Sequence, residues 1–271
     1  MQRATLALLC CPICHSELSL REESSDGNVE EGCLLCSHCE QSFPITRGIP
    51  RFIRRQQLSG LNRRFAGYYD RLSRVYAFFT KVAFLPMGGE RKARQEILGR
   101  LELDGGRVLE VSIGPGVNLP YLFELPKVGE VYGLDIAWGQ LTRCRSFVHR
   151  RGRAVDLFLG TAEALPFKEA CFDSVFHIGG INFFSDKKQA IEEMIRVARP
   201  GTKIVIADET ERVARLYDRT PGFSRSHEGK KVDIAVPVQL VPGTMEDIRV
   251  DDIWKAHGQY HGYCLEFRKP E

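Results

Sequence analysis

The sequence predicts an α/β fold, a doubly wound and mainly parallel seven-stranded sheet preceded by a small cysteine-rich β module. Three observations predict it. Apolar Val108–Val111 runs into a glycine turn, Gly114-Pro-Gly116, and a second strand, Val131–Leu134, ends in Asp135. From residue 107 onward, short apolar strands alternate with amphipathic helical patterns, as they do in βαβ units. Six of the nine cysteines fall within the first 39 residues.

At 271 residues the chain can bury a full core and carry one large domain plus a small module. The expected boundaries are 1–54 for the module, 55–106 for a linker with covering helices, and 107–271 for the α/β core. A formal net charge of +3 is too weak to demand a polyanionic partner. The early apolar run Leu6–Leu9 is too short for the core of a signal peptide. Nothing approaches the roughly 18 apolar residues of a membrane span, so a cytoplasmic location is expected.

The module comes first. Cys11-Pro-Ile-Cys14 and Cys36-Ser-His-Cys39 are two C-x-x-C units. Two thiolates three positions apart can reach one ion from a tight turn, and two such turns complete a tetrahedral sulfur site for structural zinc. Clustering in one segment favours a metal over a disulfide framework. Cys33-Leu-Leu-Cys36 offers a competing register, but polar Ser37 and His38 suit an exposed knuckle better than two leucines. Cys10 and Cys33 are then strand residues, His38 is a knuckle residue, and Cys144, Cys171 and Cys264 are packing residues. The acidic Glu22–Gly32 segment reads as a hairpin tip, and Gln41–Phe52 as a strand, a turn and an extended exit.

The linker carries five arginines between Arg51 and Arg64, which reads as a solvated face or as an anion contact. Phe65–Tyr76 places aromatics at helical spacing. Pro86-Met-Gly-Gly89 breaks the pattern, and Glu90–Leu101 resumes it with Ala93, Ile97, Leu98 and Leu101 on one face.

In the core, strands are expected at Arg107–Val111, Glu130–Leu134, Val155–Gly160, Phe172–Ile178 and Lys203–Ala207. A helix is expected at Asp186–Ala198, capped by Ser185 or Asp186 and stopped by Arg199-Pro-Gly201. Two further strands, Ile248–Lys255 and Tyr260–Lys269, suit an antiparallel hairpin at the sheet edge. Ligands of such sheets sit at the carboxyl ends of the strands.

An acid at the end of the second strand can hold the two hydroxyls of a ribose, which points to an adenosine cofactor. A dinucleotide would need a third glycine, where this chain has Leu119. Glu110 before a two-glycine turn instead suits the zwitterionic amino-acid tail of S-adenosylmethionine.

Two resemblances follow from these residues. The order CPIC, LLCSHC, FPITRGIPRF resembles the small zinc-binding protein that partners several tRNA, rRNA and protein methyltransferases. That likeness implies a module that shapes a catalytic domain without doing chemistry. Residues 65–269 resemble class I S-adenosylmethionine-dependent methyltransferases, and Tyr69-Asp70 is similar to the covering element of the ubiquinone/menaquinone C-methyltransferases. The family likeness of VLEVSIGPG implies that Glu110, Ser112, Gly114 and Gly116 surround the methionine tail. GLDIAWGQL implies Asp135 on the ribose and Ile136 against the adenine. GTAEALPF implies Thr161 and Ala162 at the adenine edge. Ser112 stands where the family has its first glycine, and Thr161 where an aspartate is common.

Methyl transfer needs a base only if the acceptor carries an acidic proton. Candidates at the strand ends are His177, Asp208 with its neighbour Glu209, and Tyr69 on the covering helix. Asn182, Phe183 and Phe184 are expected to line an acceptor pocket. The resulting expectation is a methyltransferase for a small quinone- or isoprenoid-like acceptor. Two alternatives stand beside it: an rRNA or tRNA methyltransferase gripping RNA through the module and through Arg143–Arg153, and a non-catalytic scaffold.

Overall fold

The computed structural model describes residues 1–21, 27–53, 58, 60–73, 75–213 and 236–271. Residues 22–26 of the expected hairpin tip, together with Arg54, Arg55 and Arg74, lie outside them. A four-stranded antiparallel sheet, in the order β1 (Leu18–Arg21), β2 (Gly32–Cys36), β3 (Ser42–Thr46) and β4 (Ile49–Pro50), forms the module. The large sheet comprises β5 (Arg107–Val111), β6 (Glu130–Asp135), β7 (Val155–Leu159), β8 (Ser174–Ile178), β9 (Lys203–Glu209), β10 (Glu246–Ala256) and β11 (Gln259–Arg268). Its order is β10-β11-β9-β8-β5-β6-β7. Only β11 runs against the others, pairing antiparallel with β9 and β10. Expected and observed strand ends in this sheet differ by at most two residues.

The helices are α1 (Gly60–Leu72), α2 (Tyr76–Ala83), α3 (Glu90–Leu98), α4 (Leu119–Leu122), α5 (Trp138–Arg150) and α6 (Lys187–Val197). The expected cap holds: the Asp186 carboxylate accepts from the Gln189 amide at 3.0 Å, filling one of the orphan donors of the first turn of α6.

A parallel sheet must be covered on both faces. On one face, Ile97, Leu98, Leu119, Leu141 and Cys144 from α3, α4 and α5 pack with Val108, Val131, Phe176 and Val205. On the other, α6 supplies Ile191, Met194 and Val197, and the cysteine module supplies Leu9, Leu34 and Ile45. The β7–β8 connection, residues 160–173, holds no helix. Its buried Phe167 forms an isolated bridge with Leu9 through the backbone. The module therefore fills the layer that a crossover helix would occupy.

Hydrogen bonds fasten it there. The Phe52 amide donates to the Leu159 carbonyl at 2.8 Å, and Arg51 bridges Leu159 in parallel, extending β7. The Gln2 amide and the Thr5 hydroxyl both donate to the Asp156 carboxylate. Each fully buried large apolar side chain contributes about 1.5–3 kcal/mol. Removing the module would thus expose a sheet face rather than release an appendage.

Candidate active site

The strand order reverses between β5 and β8, the switch point where such sheets bind ligands. A cleft opens there, enclosing about 640 Å³ of space that includes its open mouth. Four strand ends contribute to its wall: Ser112 and Gly114 after β5, Leu134–Ile136 at β6, Gly160, Ala162 and Glu163 after β7, and Gly179 and Gly180 after β8. Asn62, Phe65, Tyr69 and Tyr76 cover it from α1 and α2, and Gln140 enters from α5.

The cover is anchored by Asp70. Its carboxylate accepts from the Gly139 amide at 2.7 Å, in the first turn of α5, where negative charge is favoured. That bond turns the neighbouring Tyr69 toward the cleft. Farther along, Asn62 donates to Glu163 at 3.0 Å, and Glu163 also accepts from the Ser185 amide at 2.9 Å. Phe65 meets Phe183 at 4.2 Å between ring centroids, and Tyr69 meets Tyr76 edge-on at 5.8 Å. One end of the cleft is therefore an aromatic cage.

The other end is polar. Asp135, 7% exposed, accepts from the amides of Gly114 and Ala137, each at 2.8 Å, which fixes the glycine turn against β6. Burial pushes its carboxyl up to about 6. Ser112 holds φ 63°, the left-handed region that non-glycine residues enter at a cost of about 1–2 kcal/mol. A glycine is the unstrained choice there. Ser112→Gly is expected to raise stability by roughly 0.5–1 kcal/mol after the entropy of the freer unfolded chain is deducted. Denaturant midpoints test this, and a fall would mean that the hydroxyl holds the turn. Gly116 is held by packing: a Cβ there would meet Cys144 Sγ at 2.8 Å.

Among the described residues, several buried polar atoms in this region lack partners: Arg94 Nε, His177 Nε2 and, as acceptors, Gln140 Oε1 and Glu110 Oε2. Gln140, 2% exposed, lines the cleft with Oε1 unsatisfied. Glu110, fully buried two residues before Ser112, accepts from Asn118 Nδ2 at 2.5 Å through one oxygen and has no partner on the other. Burial pushes its carboxyl up to about 8. Arg94 donates to Asn118 at 2.7 Å and pairs with Glu90 at 3.3 Å, tying this acid to α3.

Of the residues singled out from the sequence, Tyr69, Ser112, Gly114, Asp135, Ile136, Ala162, Phe183 and Phe184 line the cleft. Glu110, Gly116, Thr161, His177, Asn182 and Asp208 do not. His177 is fully buried, its Nδ1 2.9 Å from the Val111 carbonyl, and its ring stacks edge-on against Phe184 at 5.1 Å. Burial lowers its pKa, so the ring is neutral at neutral pH. Asp208 is also fully buried and accepts from the Gly180 amide at 3.0 Å and from Asn182 Nδ2 at 3.2 Å. It shapes the turn after β8. Asn62, Tyr76, Gln140 and Glu163 were not anticipated. Polar residues in a first helical turn or a loop carry no local mark that separates them from solvated ones.

The cysteine module assembles as its spacing implies. The sulfurs of Cys11, Cys14, Cys36 and Cys39 all lie within 4.8 Å of one another. Cys11 is 3.5 Å from Cys39 and Cys14 is 3.4 Å from Cys36. Zinc–sulfur bonds of about 2.3 Å place tetrahedral ligands about 3.8 Å apart, so the donor set fits that ion. Each knuckle turns through a left-handed residue after its second cysteine, His15 and Glu40, both at φ 57°. Cys33 lies in β2, and Cys10 is buried beneath the module.

Three members of the second arginine cluster have partners within the chain, while Arg143 and Arg150 are exposed. Arg145 pairs with Glu30 at 2.6 Å, Arg151 lies over Phe147 and Arg153 over Phe123.

A seven-stranded sheet of this order, with an acid-closed cleft at its switch point, defines the Rossmann-like methyltransferase fold. Residues 109–206 match a methyltransferase domain family, and residues 2–48 match the Trm112p-like protein family. The Geobacter sulfurreducens ubiquinone/menaquinone biosynthesis C-methyltransferase is 31% identical over 159 residues, 57% of this chain and 59% of that protein. The Renibacterium salmoninarum demethylmenaquinone methyltransferase is 35% identical over 127 residues, 46% of this chain and 50% of that protein. The chain thus spans between half and three-fifths of the length of these relatives. A chain from a complex containing the Haloferax volcanii Trm112 methyltransferase activator shares the fold, with a TM-score of 0.57 at 15% identity over 75% of this chain and 98% of that one.

Proposed function

We propose that the protein is an S-adenosylmethionine-dependent methyltransferase acting on a small, ring-bearing apolar acceptor of quinone type. One observation carries the reading. The cleft has two chemically different ends, a polar one where Asp135 and the unsatisfied Gln140 Oε1 line the wall with Glu110 buried behind the turn, and an aromatic one closed by α1. A cofactor with an ammonium group, ribose hydroxyls and an exocyclic amine offers the donors that Glu110 Oε2 and Gln140 Oε1 lack, and hydroxyls for the remaining acceptor capacity of Asp135. The likeness to ubiquinone/menaquinone methyltransferases supports a quinone-type acceptor at the aromatic end.

In this reading Glu110 and the turn at Ser112–Gly116 hold the methionine tail, Asp135 and Gln140 take the adenosine, and Ile136 and Ala162 wall the adenine. Thr161 contributes backbone. When bound, the cofactor supplies an electrophilic methyl group on a sulfonium whose charge disappears on transfer. The chain's own part is to exclude water and to align the acceptor, for which a dry aromatic cage is suited. Phe65, Phe183 and Phe184 hold the acceptor ring. Tyr69 is the candidate with its side chain in the cleft and is assigned to the acceptor's hydroxyl or carbonyl. His177 and Asp208 position the β8 turn from beneath. Zinc in the four-cysteine cluster is structural.

Asp135→Asn tests this. It keeps one acceptor for the turn and loses the charge offered to the ribose. Two charge-assisted hydrogen bonds are worth about 3 kcal/mol or more together, so affinity for S-adenosylhomocysteine should fall at least about 100-fold by calorimetry. Unchanged affinity would remove the adenosine assignment. Failure of the wild-type protein to bind at tens of micromolar would leave only a scaffold.

A further inference from the structure

Behind the glycine turn, a buried guanidinium is linked to the acid that the cofactor's tail would meet. Arg94, on α3, is 4% exposed. It donates to Asn118 Oδ1 at 2.7 Å, pairs with Glu90 at 3.3 Å and lies over the Phe84 ring at 5.0 Å. Its Nε has no partner. A buried ion pair is weak ground for stability, because well-packed apolar side chains of similar volume often serve as well. One that also leaves a donor unsatisfied calls for another explanation.

The effect of Arg94 on Glu110 is directional. Arg94 holds the oxygen of the Asn118 side chain, so the amide nitrogen is left to face Glu110 and donates to Oε1 at 2.5 Å. Oε1 is thereby committed as an acceptor. A proton on this carboxyl must then sit on Oε2, the oxygen without a partner in the chain. Among the described residues, the charged and titratable groups facing Glu110 are Arg94 from α3, Asp135 from β6 and Cys144 from α5. Asp135 disfavours a second negative charge, and burial keeps the Cys144 thiol neutral. Arg94 is the one of the three that favours the carboxylate. In the empty protein burial prevails, and the carboxyl stays protonated at neutral pH.

We propose that Arg94 is a positioning residue for the cofactor's methionine tail. Through Asn118 it leaves Oε2 to meet the ammonium, and it provides the positive charge under which that oxygen gives up its proton. On binding, the Oε2–H bond breaks, the proton passes to solvent, and the carboxylate pairs with the ammonium. This role rests on the cofactor reading above.

Calorimetry with two probes tests it: S-adenosylhomocysteine, which carries the tail, and methylthioadenosine, which lacks it. Titrations in buffers of different ionisation enthalpy count the protons released. At neutral pH S-adenosylhomocysteine should release about one proton more than methylthioadenosine, which shares the ribose and cancels any change at Asp135. The ratio of the two affinities should rise from about pH 6 to about pH 7.5, since the complex lacks a proton that the free protein holds. Arg94→Met alone would strand the Glu90 carboxylate, so the double variant Glu90→Gln, Arg94→Met removes the pair together. It should lose about tenfold in S-adenosylhomocysteine affinity at neutral pH and nothing for methylthioadenosine, and its rising limb should move to higher pH. Glu90→Gln alone keeps the cation and should bind both probes like wild type. Equal losses for the two probes would make Arg94 a brace of the whole turn and overturn the proposal. So would a pH profile that stays in place, or a Glu90→Gln protein as weak as the double variant. The wild-type proton count needs no variant, and a count equal for the two probes would also reject the role. Wild-type protein that binds neither probe would instead refute the cofactor reading, which keeps the two failures apart.

Discussion

Cys11→Ser is expected to cost the protein its folded state as well as a metal. The four sulfurs lie within 4.8 Å of one another, close enough for one ion to hold both knuckles. The module that these knuckles frame contributes Leu9, Leu34 and Ile45 to the same core as Phe158 and Val175 of the large sheet. Loosening the knuckles therefore uncovers a face of the catalytic domain. Structural zinc binds isolated finger peptides with roughly 10–16 kcal/mol of apparent energy, whereas whole domains are stable by about 5–15 kcal/mol. Even a fraction of the first quantity exceeds what a domain can lose. The wild-type protein should contain about one zinc per chain by elemental analysis, and a strong chelator should lower its melting temperature sharply. Cys33→Ser, in β2 outside the cluster, should behave like wild type. A zinc-free, fully stable Cys11→Ser protein would reject the metal site.

How much of this could be read beforehand depended on the range of the interactions involved. The knuckles, the glycine turn and the Asp186 cap are local, and residue type and spacing were sufficient for them. The strands of the large sheet were legible as apolar runs, but their central members gave no sign of which way a side chain faces. All five residues of β8 are buried, so nothing in Ser174–Ile178 alternates to say that His177 points away from the cleft. Asp208 lies one residue before the end of a strand whose preceding four residues are all buried, and the same ambiguity made it a candidate base. The module's place as a missing crossover layer was also hidden. It depends on contacts such as Leu9 with Phe167, more than 150 positions apart, and on a β7–β8 connection whose lack of a helix carries no signal by itself. Tyr69-Asp70 lay between these cases. The pair could be placed on a covering helix, but the division of labour between its members, Asp70 capping α5 while Tyr69 faces the cleft, needed the position of the Gly139 amide.

Glu110→Gln is expected to move stability and cofactor affinity in opposite directions. The wild-type carboxyl is fully buried, with one oxygen on Asn118 Nδ2 at 2.5 Å and the other unpartnered. Its pKa of about 8 in the folded protein lies well above the ordinary value near 4.5 that it regains on unfolding. Between those values the folded state keeps a proton that the unfolded state releases. The group's contribution is therefore fully present below about pH 4.5 and is lost as pH rises through 8. Glutamine fills the same space, keeps the acceptor for Asn118 and cannot ionise. The variant should match wild type near pH 5 and exceed it at pH 8.5 by an amount on the order of 3 kcal/mol, read from denaturant unfolding. A stability difference independent of pH would mean that the carboxyl is not the titrating group. Affinity for S-adenosylhomocysteine should fall at least about tenfold, because the methionine ammonium loses its counter-charge. The unpartnered oxygen costs stability in the empty protein, and that cost is offset only when a cation arrives. A variant that gained stability at high pH and lost nothing in affinity would show the orphan oxygen to be a flaw of packing rather than half of a binding site.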